Sequence, residues 1–157
     1  MKKMVFWLFI LAVVLLLAAC SPADSADCAN LPEGTTIKID GAWSRTAEIS
    51  APDTGTSAVY LTINNCGTQP DALLSAASDA AQFTEVHVTE TRNGITMMTQ
   101  VDKIDIPAGK KVELKEGGYH VMMMKLKQSI NAGDPLEITL NFEKAGAIKV
   151  TAPARNP

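Results

Sequence analysis

The sequence lacks the features by which many function classes are recognised. It has no run of Lys and Arg and no aromatic stripe interleaved with basic residues; aromatics make up only 5% of the chain. That absence removes the electrostatic footprint of a nucleic-acid binder. Acidic residues outnumber basic ones, 17 to 14, for a formal net charge of −3. A soluble surface is the simplest meaning of that surplus. No window carries a helical period of useful length, which argues against bundles and α/β folds. No Ser/His/Asp set, no paired acids in a catalytic setting and no phosphate loop stand out, so no enzymatic activity is expected. Cysteine occurs only three times and never as C-x-x-C, which argues against a thioredoxin-like redox enzyme.

The N-terminus is the first positive signal. Met1-Lys2-Lys3 is basic, and Met4 to Ala19 runs without a polar side chain. The run is short for a membrane span and right for a secretory leader. It ends in Leu17-Ala18-Ala19-Cys20, which resembles the bacterial lipoprotein cleavage box. That resemblance makes residues 1–19 a signal peptide and Cys20 the lipidated first residue of the mature protein, held at the membrane by its acyl chains. Residues 20–35, rich in Ser, Ala, Asp and Pro, are expected to form a flexible tether. The expected location is extracytoplasmic, in the periplasm or on the outer face of the cytoplasmic membrane. Disulfides are permitted there. Cys28 and Cys66 are then expected to pair, stapling the N-terminal segment to the loop at Asn64-Asn65-Cys66-Gly67. A metal thiolate site is the weaker reading, because neither has a Cys or His nearby at ligand spacing.

From Thr36 onward, short strand patterns alternate with turn residues such as Pro107-Ala108-Gly109, Gly117-Gly118 and Gly133-Asp134-Pro135. Candidate strands cover 36–40, 58–64, 72–76, 84–91, 95–101, 111–114, 119–126, 136–142 and 147–151. The spacing predicts an all-β domain, an antiparallel β-sandwich or Greek-key barrel, over residues 36–153, followed by a short tail at 154–157. Asn93-Gly94 predicts a tight hairpin. It pairs Arg92 with Ile95, Glu90 with Met97, Thr89 with Met98 and His87 with Gln100. Alternation then puts Val86, Val88, Met97 and Val101 on an apolar face, and His87, Thr89, Met98 and Gln100 on a more polar one. In Tyr119–Leu126, His120, Met122 and Met124 share one face, while Val121 and Met123 share the other, inward one.

Both histidines, and all five methionines that lie beyond the leader, fall between His87 and Met124. Core composition alone does not explain that clustering. Imidazole and thioether together form a soft, uncharged donor set, and soft sulfur selects Cu(I). Calcium and magnesium want oxygen, and structural zinc wants thiolates or more imidazoles. With neutral ligands Cu(I) keeps its single charge, which suits exchangeable binding. The bland alternative is a methionine stripe used as core and histidines satisfied by hydrogen bonds.

The spacing goes further. Ten residues separate His87 from Met98, twenty-one separate Met98 from His120, and one separates His120 from Met122. This resembles the signature of the periplasmic copper chaperone family that serves the CuA centre of cytochrome c oxidase. Asp40-Gly41-Ala42-Trp43-Ser44-Arg45, Ala58-Val59-Tyr60-Leu61-Thr62-Ile63-Asn64-Asn65, Ile106-Pro107-Ala108-Gly109 and Asn141-Phe142-Glu143-Lys144-Ala145-Gly146 resemble further landmarks of that family, in the family's order. Together they span Ile37 to Pro153. The resemblance implies a cupredoxin-like sandwich that binds one Cu(I) through His87, Met98, His120 and Met122. It also implies a partner: the copper-bearing subunit of cytochrome c oxidase or another copper-assembly protein. Met124 is a possible additional sulfur, with packing the favoured reading. Met97 and Met123 are assigned to the core, and Trp43, Arg45 and Tyr60 to the framework. The chain ends without the His/Met-rich tail that would supply a second site for Cu(II).

Two other functions share parts of this pattern. A blue-copper electron carrier has a similar fold but needs a Cys ligand, and neither cysteine lies near the cluster. A copper-storage or copper-resistance lipoprotein uses the same chemistry and differs only in its partner.

Overall fold

The computed structural model describes residues 25–31 and 33–156; the leader and Cys20 lie outside the described residues. Ten strands make up the domain: β1 (Ile37–Arg45), β2 (Thr54–Asn65), β3 (Asp71–Ala77), β4 (Ala81–Arg92), β5 (Ile95–Gln100), β6 (Ile104–Ile106), β7 (Lys111–Leu114), β8 (Tyr119–Leu126), β9 (Pro135–Phe142) and β10 (Gly146–Arg155). Among the described residues there is no helix, in keeping with the missing helical period.

The strands follow the order β5-β4-β8-β2-β1-β10-β9-β3-β6, with β7 pairing β2 off that path. β8 and β7 share one edge of β2: β8 pairs along Thr54–Val59 and β7 along Leu61–Asn64. All pairings between these strands are antiparallel except β1 with β10, which run parallel at Ser44↔Ala154 and Arg45↔Arg155. This is the expected all-β cupredoxin-like sandwich, with one parallel seam. The register of β1 against β2 shifts between Asp40 and Trp43. Gly41 sits there with φ +61°, a conformation open to glycine and costly for most residues, and one associated with bulges.

Alternation builds the core. Val59 and Ile63 of β2, Leu73 of β3, Val121 and Met123 of β8 and Leu140 of β9 are all fully enclosed. Each such side chain contributes about 1.5–3 kcal/mol through removal from water. β6 escaped the sequence reading because three residues are too few to display a period. It nonetheless supplies Ile104 and Ile106 to the core, with Asp105 between them facing outward.

Two expected boundaries are corrected. The end of the tether is fastened down: Ala26 N–H donates to the Gly109 carbonyl at 3.1 Å, Asp27 N–H donates to Asn64 Oδ1 at 2.8 Å, and Cys28 is bonded to Cys66. Backbone hydrogen bonding and a covalent bridge outweigh its loop-like composition. The expected tail also begins too early, because β10 continues through Arg155 and Ala154 is buried against Ser44.

Candidate metal centre

β4 lies between β5 and β8, and its pairing sets the site. The β4–β5 hairpin has the expected register, with Glu90 opposite Met97 and Thr89 opposite Met98. Asn93 and Gly94 both have positive φ, 53° and 78°, as a type I′ turn requires. On the other side of β4, His87 stands directly opposite His120 and Glu85 opposite Met122. Side chains alternate along each strand, so Met98, His87, His120 and Met122 share one face of three adjacent strands. The two imidazole rings lie 5.9 Å apart between centroids.

Each ring is held at one nitrogen and unpartnered at the other. His120 Nδ1 lies 3.1 Å from the Gly118 carbonyl. A carbonyl only accepts, so Nδ1 carries the proton and Nε2 keeps its lone pair. His87 Nε2 lies 2.9 Å from Glu85 Oε2, and donation to that carboxylate leaves the His87 Nδ1 lone pair free. His87 Nδ1 and His120 Nε2 are both buried without a hydrogen-bond partner. Buried polar atoms are nearly always satisfied, so two orphans on facing rings call for an explanation. Both are lone-pair donors of the kind a metal takes, with the opposite nitrogen of each ring anchored.

Burial pushes the His120 pKa down from its ordinary value, and the neighbouring His87 adds to the fall, while the bond to Gly118 opposes it. The ring is thereby kept neutral, the form that binds metal. Tyr60 of β2 packs beside it, with ring centroids 6.3 Å apart. Trp43 of β1 lies 4.7 Å from Tyr60, and the Arg155 guanidinium sits 4.0 Å from the centre of the Trp43 ring. This stack makes Trp43 and Tyr60 a wall behind His120, consistent with a framework role. Trp43 faces Tyr60 across the β1–β2 ladder, and the β1–β10 seam brings Arg155 onto the Trp43 ring, pairings that local spacing could not reveal.

His120, Met122 and Met98 line an open hollow of about 580 Å³. Arg45 and Glu116, 3.2 Å apart, form an exposed ion pair at the same hollow. Met122 is half-buried and Met98 is 53% exposed. Among the described residues no three His, Cys, Asp or Glu side chains gather into a metal-sized group. Both described cysteines are consumed in their bridge. The donors at hand are therefore two imidazoles and two thioethers, a set that fits a soft monovalent ion.

Two methionine assignments divide here. Met123 is fully enclosed, as expected, but Met97 is 61% exposed and is not a core residue. It does share a face with Val88 and Val101, so its direction was read properly. Its depth was not, because β5 lies at the end of the strand order and every one of its residues is exposed. Met124 is half-buried, across from Phe83 and Thr56. Sequence reasoning missed Glu85 and Gly118. Glu85 lies two residues before His87 in β4, a spacing that puts both side chains on one face; Gly118 lies in the turn just before β8 and acts through its backbone carbonyl, which no side-chain pattern signals.

The family model described as "Putative lipoprotein LpqE-like" matches residues 37–154. The chain belongs to the LpqE-like family. Within the range of that match lie all ten strands apart from Arg155 at the end of β10. The "Putative lipoprotein Lxx21020" of Leifsonia xyli subsp. xyli is 30% identical over 149 residues, covering 92% of this chain and 86% of that protein. Among solved structures, the copper-bound PCuAC domain from PmoF2 is similar with a TM-score of 0.64 at 25% identity, over 78% of this chain and 94% of that one. The Cu(I) form of DR1885 from Deinococcus radiodurans gives 0.59 at 27% identity, over 86% and 90%. This LpqE-like domain thus has the fold of PCuAC domains.

Proposed function

We propose that this chain is an extracytoplasmic copper chaperone, anchored to the membrane through a lipid on Cys20. It carries one Cu(I) between His87, Met98, His120 and Met122 and passes it to the copper-bearing subunit of cytochrome c oxidase or to another copper-assembly protein. The observation that carries this reading is the pair of buried lone pairs, His87 Nδ1 and His120 Nε2, with no hydrogen-bond partner among the described residues. Copper-bound neighbours of the same fold support it, as does membership of a family described as lipoproteins. A donor set without a charged ligand binds the ion through soft donation at the ligand atoms, which favours exchange over permanent retention. Exposed Met98 gives a partner's ligand a way in.

Titration of the domain against a Cu(I)-specific chelator tests the site, with one ion bound more tightly than Zn²⁺ or Cu²⁺ under reducing conditions as the expected result. Growth of a deletion strain under limiting copper tests the delivery. Loss of oxidase activity that excess copper restores is expected; copper sensitivity with normal oxidase would assign the protein to storage instead. Cys20→Ser is expected to release the protein from membranes, with mass spectrometry of the native N-terminus as the direct check.

A further inference from the structure

The carboxylate of Glu85 stands in a particular relation to the site. It shares a strand face with His87, lies 2.9 Å from Nε2, and is itself only 30% exposed, opposite Met122. It touches the side of the ring away from the orphaned Nδ1. It is therefore not placed as a ligand when Nδ1 binds. From these observations we infer that Glu85 is the positioning residue of the copper site: it fixes His87 as the Nε2–H tautomer, so that Nδ1 faces the metal.

Two physical effects follow from that contact. A neutral imidazole has two tautomers, and only one leaves Nδ1 with a lone pair; a carboxylate acceptor at Nε2 selects it and locks the ring rotation. The four neutral donors also leave a bound Cu(I) with its full positive charge in a partly buried site, and Glu85 supplies the nearby negative charge. His120 has a different orienter. Its Nδ1 is held by a backbone carbonyl, Gly118, which supplies orientation without net charge. The two histidines are thus presented through opposite nitrogens, Nδ1 from His87 and Nε2 from His120. Glu85 is the only one of the two orienters that a side-chain substitution can remove.

This inference rests on the copper reading above, and its test separates the two. Long-range ¹H–¹⁵N NMR of the copper-free protein reads the tautomers directly. His87 should carry its proton on Nε2 and His120 on Nδ1. Glu85→Ala should turn His87 into a mixture while leaving His120 unchanged. In a chelator competition Glu85→Ala should weaken Cu(I) by at least tenfold, within the 10–100-fold range typical of outer-shell partners. Glu85→Gln keeps an acceptor oxygen but no charge, so it should retain the tautomer and lose less affinity. An unchanged His87 tautomer in Glu85→Ala, or unchanged Cu(I) affinity despite a scrambled one, would overturn the inference. A wild-type protein with the expected tautomers that bound no Cu(I) would instead overturn the copper reading, and with it this role for Glu85.

Discussion

Two clusters of buried polar side chains lie at or beside β2, and the protein treats them in opposite ways. At its C-terminal end, Asn64 and Asn65 are almost wholly enclosed. Asn64 accepts from Asp27 N–H and donates to Asp40 Oδ2. Asn65 donates to the carbonyls of Gln69 and Ile106 and accepts from Gly67 N–H. Lys38 bridges Asp27 and Asp40 nearby, and the Cys28–Cys66 bond closes the cluster. Beside Tyr60, midway along the same strand, His120 is as deeply buried yet keeps an open nitrogen, and His87 across from it does the same. Satisfied burial marks a fastening. Unsatisfied burial marks a place held ready for something the chain does not supply, because such a group costs stability until a partner arrives.

If that division is right, changes at the fastening should cost stability and spare copper, and changes at the open pair should do the reverse. The largest stability effect belongs to the bridge. Replacing both Cys28 and Cys66 with Ser frees a loop spanning 38 residues of sequence separation. The chain-entropy relation gives a loss of about 4 kcal/mol. Urea unfolding of the mature domain reads it, and Cu(I) affinity at pH 7 should stay within twofold. An equal loss of affinity would mean that the two places are one mechanical unit.

Next in size is Asn65→Ala. It removes three hydrogen bonds from a fully buried position, those to the Gln69 and Ile106 carbonyls and the one from Gly67 N–H. At about 1 kcal/mol for each bond, the expected loss is about 3 kcal/mol. The same unfolding curve measures it, again with copper binding intact.

At the open site the order inverts. Met98→Leu and Met122→Leu keep volume and hydrophobicity but delete the sulfur. The copper-free domain should change by less than about 1.5 kcal/mol, while Cu(I) affinity falls at least tenfold, equivalent to about 1.4 kcal/mol of binding. Met97→Leu should change neither. Equal losses at Met97 and Met98 in a chelator titration would refute the division of the two β5 faces.

These contrasts also show where sequence reasoning reached and where it stopped. The hairpin was legible because Asn-Gly dictates a turn with two positive φ values, and the turn dictates the register. The bounds of β8 were legible because Gly117-Gly118 and alternation leave little freedom. Alternation states direction and not depth, so Met97 and Met123 looked alike until the strand order placed β5 at the edge and β8 between β4 and β2. The anchoring of residues 25–28, the β1–β10 seam and the Trp43–Tyr60 wall all join segments distant in sequence, which local patterns do not encode. Tether composition was read as flexibility because nothing local predicts that Gly109 and Asn64 will meet it.

The smallest expected effect concerns protons and gives the most direct comparison of the two places. Burial, with help from His87, lowers the His120 pKa below its ordinary value near 6.5, against the opposing pull of Gly118. The unfolded chain therefore binds a proton here at a higher pH than the folded one does. Between those two values the unfolded state holds more protons, so folding stability rises with pH. The contribution is fully present above about pH 6.5 and is lost as pH falls through the folded value. In the copper-free domain, urea midpoints measured from pH 8 to pH 5 should decline on the acid side. His120→Leu should flatten that decline and cost little stability at pH 8, because it removes the orphaned nitrogen along with the proton site. In the fastening Asn64 and Asn65 do not titrate, while Asp27, held below the ordinary carboxylate range by the Ala29 N–H and Lys38, and Lys38, raised above its ordinary value by Asp27 and Asp40, change charge outside that pH window. A Cys28→Ser, Cys66→Ser protein should therefore keep the wild-type slope at lower overall stability. If its slope changed while that of His120→Leu did not, the pH response would belong to the fastening, and the contrast drawn between the two places would fail.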